Sequence, residues 1–249
     1  MNEREAIFAR IREALRTPAD KPGNADEPHG STAPRCAKPK PGGTSPDQPG
    51  FRAASPGRER RLESFLPHVG GSFAEMVAAF TAASQELHTD FHLLESEAGA
   101  DLLLAALRDA EGWRRVAAHR GQLASPVAES LGLPVLWIDG GYDKQALEAC
   151  DVGITECDAL VAQTGSLVVT SASAGGRALS VLSPHHVVLA RRTQLVPDLP
   201  SAFRRLQDRY GTNAPSMISF VTGPSRTGDI ERILVLGAHG PKRLTVICW

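Results

Sequence analysis

Forty residues from Pro18 to Gly57 carry nine of the chain's 18 prolines and six glycines, with almost no large aliphatic side chains. A segment of that composition buries too little apolar surface to offset the entropy of ordering it. It therefore divides the chain. Residues 17–57 read as a Pro/Gly-rich, disordered or loosely laid linker. Residues 1–16 ahead of it read as an amphipathic helix, because Ile7, Ile11, Ala14 and Leu15 recur at helical spacing with charges on the other face. So short a helix is marginal alone and is expected to dock on something. About 190 residues, 58–249, remain for one well-buried core.

Within that body Ser72 and Glu75 have the S-x-x-E spacing of a capping box, and Phe73, Met76, Val77 and Phe80 then repeat at helical spacing to about Leu87. A second helix is expected over 99–109. From residue 115 onward, short apolar runs alternate with helical stretches. Strands are expected at 115–118, 135–138, 217–222 and 244–247. Helices are expected at 123–131, 144–149 and 200–210, with a short helix or turn at 229–233 and an extended piece at 235–237. Four short apolar runs between Ala159 and Ala190, including 179–182, read as a local meander or antiparallel edge. The alternation predicts an α/β chain: a three-layer α/β/α domain with a mainly parallel open sheet.

Charge and composition then exclude classes of function. A formal net charge of −1 gives no support for a nucleic-acid groove or a basic membrane-binding face. No apolar run approaches the roughly 20 residues a membrane span needs. The N-terminal MNEREAIFARIREALR lacks the apolar core of a secretory signal, so a cytoplasmic location is expected. Cys36, Cys150, Cys157 and Cys248 fit no common zinc or iron–sulfur spacing and read as reduced, structural thiols.

Three loops carry residues that suit chemistry. Gln163-Thr164-Gly165-Ser166 lies between apolar runs and is either a tight turn or a small polar loop whose N–H groups face an anion. Gly175-Gly176-Arg177 is a flexible loop ending in a cation, followed by Ser183-Pro184-His185-His186. Adjacent histidines on a strand point to opposite faces, so they do not chelate one metal together; one can line a pocket while the other packs. Ser225-Arg226-Thr227-Gly228-Asp229 after a Gly-Pro turn reads as the start of a short helix lining a site for a small anion, with Arg226 as the contact and Asp229 as an internal cap. His239 in Gly237-Ala238-His239-Gly240-Pro241 is either a ligand-facing base or a turn residue. The candidate ligand-binding set is thus Thr164, Gly165, Ser166, Arg177, His185, Ser225, Arg226, Thr227 and His239, with no metal site and no assignable catalytic constellation. In α/β folds such loops are expected to converge at the carboxyl ends of the sheet. Neither a P-loop nor a dinucleotide fingerprint is present in the sequence.

The stretches D-V-G-I-T from Asp151, T-G-S-L-V from Thr164, R-A-L-S-V-L-S-P-H-H-V from Arg177, T-G-P-S-R-T-G-D-I-E from Thr222 and G-A-H-G-P from Gly237 together resemble the lactate-utilisation protein C family, the LUD domain. The resemblance implies a fold similar to the sugar-phosphate isomerase and CoA-transferase class. It implies a component of a system oxidising L-lactate to pyruvate, acting with iron–sulfur partner proteins, the clusters belonging to those partners and not to this chain. Gln163 stands where relatives often have an acidic residue; an amide cannot be the covalent nucleophile that a CoA-transferase glutamate provides. An accessory subunit binding a small anionic metabolite, a stand-alone enzyme on a small phosphorylated or carboxylated metabolite, and a plain interaction module are the readings that remain.

Overall fold

Ser72 opens the first helix as its spacing predicts: its hydroxyl accepts from the Glu75 N–H while the Glu75 side chain accepts from the Ser72 N–H. That helix, α1 (Phe73–Leu87), ends on His88 in the left-handed region and leads into β1 (Asp90–Leu93). The chain continues as α2 (Glu97–Glu111), β2 (Val116–Ala118), α3 (Ala124–Ser130), β3 (Val135–Trp137), α4 (Lys144–Glu148) and β4 (Val152–Glu156). Then come β5 (Ala159–Val161), β6 (Ser166–Thr170), α5 (Leu179–Leu182), β7 (His185–Ala190), β8 (Leu195–Val196), α6 (Leu199–Tyr210) and β9 (Ile218–Val221). The short β10 (Arg226–Thr227) and β11 (Val235–Leu236) precede the final strand, β12 (Arg243–Cys248). This computed structural model describes residues 66–227, 235–237 and 239–249, all within one unit of the chain. The expected helix at 1–16, the linker at 17–57 and the helix or turn at 229–233 lie outside the described residues.

Six strands form a sheet in the order β1-β12-β7-β4-β2-β3, every neighbour pair parallel. One face packs against α2 and α3 through Val116, Ile154, Val187, Leu189 and Ile247 with Leu104, Val127 and Leu131. The other face packs Val188, Ala190, Leu244 and Val246 against Phe80 of α1 and against Leu160, Leu167 and Val169 of a second sheet. That second sheet, ordered β8-β5-β6-β9, holds only the first two runs of the expected meander, β5 and β6, while the run at 187–190 is β7 of the parallel main sheet; β5, β6 and β9 pair antiparallel, and β8 joins β5 in parallel. It is a separate sheet, not an edge of the main one. Its outer face carries α6 through Ala202 and Leu206. The chain is an α/β/α structure around a mainly parallel sheet, as the alternation predicts.

Three local readings differ. Leu179–Leu182 is a helix turn, not a strand, since a four-residue apolar run satisfies either period. Arg226 and Thr227 belong to a two-residue ladder with Leu236 and Val235, not to a helix start. β4 has no counterpart among the expected strands because Gly153 interrupts its apolar run. A Cβ there would stand 2.6 Å from Ser183 Oγ and 2.9 Å from the Leu179 carbonyl oxygen, so glycine lets α5 sit on the sheet.

Candidate functional site

A cavity of about 240 Å³ opens where β9 of the second sheet meets the amino ends of β7 and β12. Two Gly-Pro segments build one wall, Gly223-Pro224-Ser225 and His239-Gly240-Pro241. Backbone bonds bring them together: the Ser225 N–H donates to the Pro241 carbonyl at 2.9 Å, and the Gly237 N–H donates to the Ser225 carbonyl at 2.8 Å. The β10–β11 ladder continues that join. Gly223 has φ +84°, and a Cβ there would lie 3.0 Å from the Leu87 carbonyl oxygen and 3.1 Å from Arg226 Nη2, so the chain turns there only as glycine. The remaining wall is Phe220 and Val221 from β9, Ser180 and Val181 from α5, and His186 and Leu244 from the main sheet.

His186 is 1% exposed and its Nε2 lies 2.8 Å from Thr155 Oγ1. Its Nδ1 has no hydrogen-bond partner among the described residues. Burial, and secondarily the neighbouring His185, pushes its pKa down to about 3, so the ring is neutral at ordinary pH. His185 faces the opposite side of β7. Its Nε2 lies 2.8 Å from Thr245 Oγ1, its ring packs edge-on against Trp113, and burial, followed by the Arg243 charge, lowers its pKa to about 4. One histidine lines a pocket and the other packs.

Of the nine candidate residues, Ser225 and His239 line the cavity. Arg226 is exposed, with its guanidinium beside Gly223 and Leu87, and does not belong to the cavity lining. Thr227 follows it in β10. Thr164 and Gly165 lie in the β5–β6 turn, and Ser166 opens β6. Thr164 Oγ1 donates to Ser166 Oγ at 2.8 Å, and Ser166 Oγ is 2.8 Å from Thr222 Oγ1, which ties that turn to the segment entering the cavity wall. Gly165 packs on α1: a Cβ would meet Ala83 Cβ at 2.8 Å. Arg177 is exposed, and its carbonyl accepts from Ser180 Oγ. The candidate set names His185 of the histidine pair, whereas His186 lines the cavity; Phe220 and Leu244, and Thr155 that holds His186, are additions that the loop composition did not single out. The two-residue period of β7 puts His186 with Val188, but only the packed second sheet decides which face borders the cavity.

The carboxyl ends of the strands are arranged differently from the expectation. The main sheet has its switch point between β2 and β4, where the chain leaves toward β3 on one side and β7 on the other. His119 follows β2 and Glu156 ends β4 at that point. Their groups are committed to the protein itself: Glu156 Oε1 accepts from the Leu123 and Ala124 N–H groups, and the Glu156 N–H donates to His119 Nε2 at 3.4 Å. A Cβ on Gly121 would collide with both side chains. The converging Gly-Pro loops and the cavity lie instead at the amino ends.

Among the described residues no three His, Cys, Asp or Glu side chains come together to hold a metal ion, and no helix is long and apolar enough to cross a membrane. Cys150, Cys157 and Cys248 are buried free thiols, and burial raises all three pKa values, Cys248 to about 11.

Fold and site thus define an open-sheet α/β/α protein with a small, partly polar cavity between its two sheets. Residues 140–248 match the model of the LUD domain. A lactate utilization protein C from Shouchella clausii is 30% identical over 182 residues, 70% of this chain and 78% of that relative. Proteins of the same name from an Exiguobacterium species and from Oceanobacillus iheyensis are 28% and 27% identical, covering 79% and 93% of their own lengths. The chain belongs to the LUD-domain family. Its fold is similar to that of a DUF162 family protein from Deinococcus radiodurans, at a TM-score of 0.57 and 21% identity, covering 71% of this chain and 98% of that one.

Proposed function

We propose that this chain is a component of a lactate-utilisation system, working beside iron–sulfur partner proteins and binding a small anionic ligand in the cavity between its sheets. The observation that carries the reading is the convergence of the Gly223-Pro224-Ser225 and His239-Gly240-Pro241 segments on one cavity wall, in a chain whose relatives bear the name lactate utilization protein C. Ser225 and His239 supply hydrogen-bonding groups to that wall, and Arg226, next to Ser225 in the chain, is the cation assigned to the ligand in this reading. The redox chemistry belongs to the partners. This chain contributes ligand binding and docking.

The test is a tagged pull-down from the native host grown on L-lactate, with lactate-dependent dye reduction assayed in the captured material and in a strain lacking the chain. Co-purifying iron–sulfur proteins, and dye reduction that needs this chain, are expected. A chain that comes down alone, from a host whose growth on lactate does not need it, overturns the reading.

A further inference from the structure

We propose that one side of α6 is a docking face for an acidic segment of a partner protein, which Arg204, Arg205 and Arg209 receive. The inference rests on the docking role in the proposed function and names the surface and the chemistry that would serve it.

An open basin of about 680 Å³ lies along α6, lined by Ser201, Arg204, Arg205, Asp208 and Arg209. Their spacing places all five on one side of the helix. The basin shares no residue with the cavity between the sheets. A small ligand needs walls that enclose most of its surface. One helix face does not enclose, so the basin suits the surface of a macromolecule.

The arginines are held in place without being neutralised. Arg204 Nη2 donates to Ser201 Oγ at 2.9 Å. Arg205 donates from Nε to the Asp158 carbonyl at 2.7 Å and from Nη1 to the Thr193 carbonyl at 3.0 Å. These acceptors carry no charge. Among the described residues neither Arg204 nor Arg205 forms an ion pair, and Asp208, four residues after Arg204, forms none either. Only Arg209 is matched by a carboxylate, that of buried Asp158 at 2.8 Å. A guanidinium has five N–H groups, so Arg204 and Arg205 keep donors for a second acceptor. Fixed side chains also lose less rotamer freedom on binding than mobile ones.

Carboxylates are the complement of such a face, because they accept from a planar guanidinium through two oxygens. The chain as a whole has a net charge of −1, so the excess is local to this face and is not a general basicity that would draw any polyanion. Asp208 marks the point on the face where a partner carboxylate is disfavoured.

The experiment is a fluorescence titration of the full chain with dye-labelled deca-glutamate, with oligouridylate and phosphatidylserine vesicles titrated beside it. Arg204→Glu/Arg205→Glu should weaken deca-glutamate binding about ten-fold, and Asp208→Asn should tighten it about two-fold. Arg204→Glu alone should weaken it about three-fold, and it removes only the bond to Ser201, which keeps the test decisive if the double variant does not fold. Arg114→Glu/Lys144→Glu makes the same change of net charge at exposed positions elsewhere and should leave binding within about two-fold. Equal binding by the wild type and the Arg204 variants, or an equal loss in the Arg114/Lys144 control, overturns the proposal. Tighter binding of oligouridylate or of the vesicles also overturns it. In the tagged pull-down, partners that come down equally with the wild type and with Arg204→Glu overturn the docking face and leave the proposed function standing. If nothing co-purifies with the wild type, the proposed function falls, and the titration still decides the face.

Discussion

His185 and His186 are adjacent in sequence yet hold threonines of different strands on opposite faces of β7, Thr245 of β12 and Thr155 of β4, each at 2.8 Å. Both rings are buried, and their pKa values lie near 4 and 3. An unfolded histidine titrates near 6.5. As pH falls below that value the unfolded chain takes up protons that the folded chain refuses. Stability is therefore complete above about pH 7 and is lost as pH falls from about 6.5 toward 4, at about 1.4 kcal/mol per pH unit for each histidine. Together they should remove about 3 kcal/mol by pH 5.5. His119, also lowered by burial, acts in the same direction. Urea unfolding at pH 7.5 and 5.5 measures this, and His185→Gln should reduce the loss. A flat profile would put the rings in contact with solvent.

Gly165 sits at φ +63° with no room for a Cβ, which would stand 2.8 Å from Ala83 Cβ and 2.9 Å from Leu87 Cδ1. Gly165→Ala should cost about 1–3 kcal/mol, through both the backbone conformation and the clash with α1. Thermal and urea unfolding of the variant check it. Unchanged stability would mean that the turn does not bear on the helix.

Much of the fold is legible in local chemistry. Ser72 and Glu75 announce the start of α1, and Gly132 marks the end of α3. What escapes depends on partners distant in sequence. β4 goes unassigned in the local pattern, where Gly153 breaks the apolar run, and that glycine makes sense only once α5 lies across it. β1, with Asp90 and His92 in four residues, has too little apolar pattern to declare itself before β12 pairs with it. The site is legible to the same degree. Ser225 and His239 stand out because Gly-Pro pairs demand turns. The choice between His185 and His186 needs to know which face of β7 meets the second sheet, and no local period contains that. Arg226 and Thr227 sit in a ladder whose other strand lies beyond residues 228–234, outside the reach of turn chemistry.

Asp158 is fully buried, with Oδ1 accepting from the Tyr210 hydroxyl and from Arg209 Nη1, each at 2.8 Å. Its Oδ2 has no partner among the described residues. Arg209 is half exposed and its ion pair is screened, so the phenol carries much of the local cost. Tyr210→Phe should destabilise by about 1–3 kcal/mol, since it strips a donor from a buried carboxylate and leaves Thr170 Oγ1 without the same hydroxyl. The midpoint of urea unfolding checks this. A change below about 0.5 kcal/mol would show that the carboxylate finds another donor.

Glu156 stands at the switch point of the sheet, where ligands of open α/β folds are usually bound, yet its Oε1 is held by the Leu123 N–H at 2.7 Å and the Ala124 N–H at 3.1 Å. That bonding makes it the cap of α3. Glu156→Gln keeps an oxygen acceptor and gives up the charge, and should cost about 1 kcal/mol; Glu156→Ala frees both N–H groups and should cost about 2–3 kcal/mol. Neither variant should alter lactate or pyruvate binding, provided it is assayed below its unfolding temperature. The two regions of the fold are thereby separated experimentally. If Glu156→Gln unfolds like the wild type but fails to support growth on lactate, the working centre lies at the carboxyl ends of β2 and β4, and the amino-end cavity is a packing feature. If it loses stability and keeps both binding and growth, the switch point is structural, and ligand binding belongs with the amino-end cavity that Ser225 and His239 line.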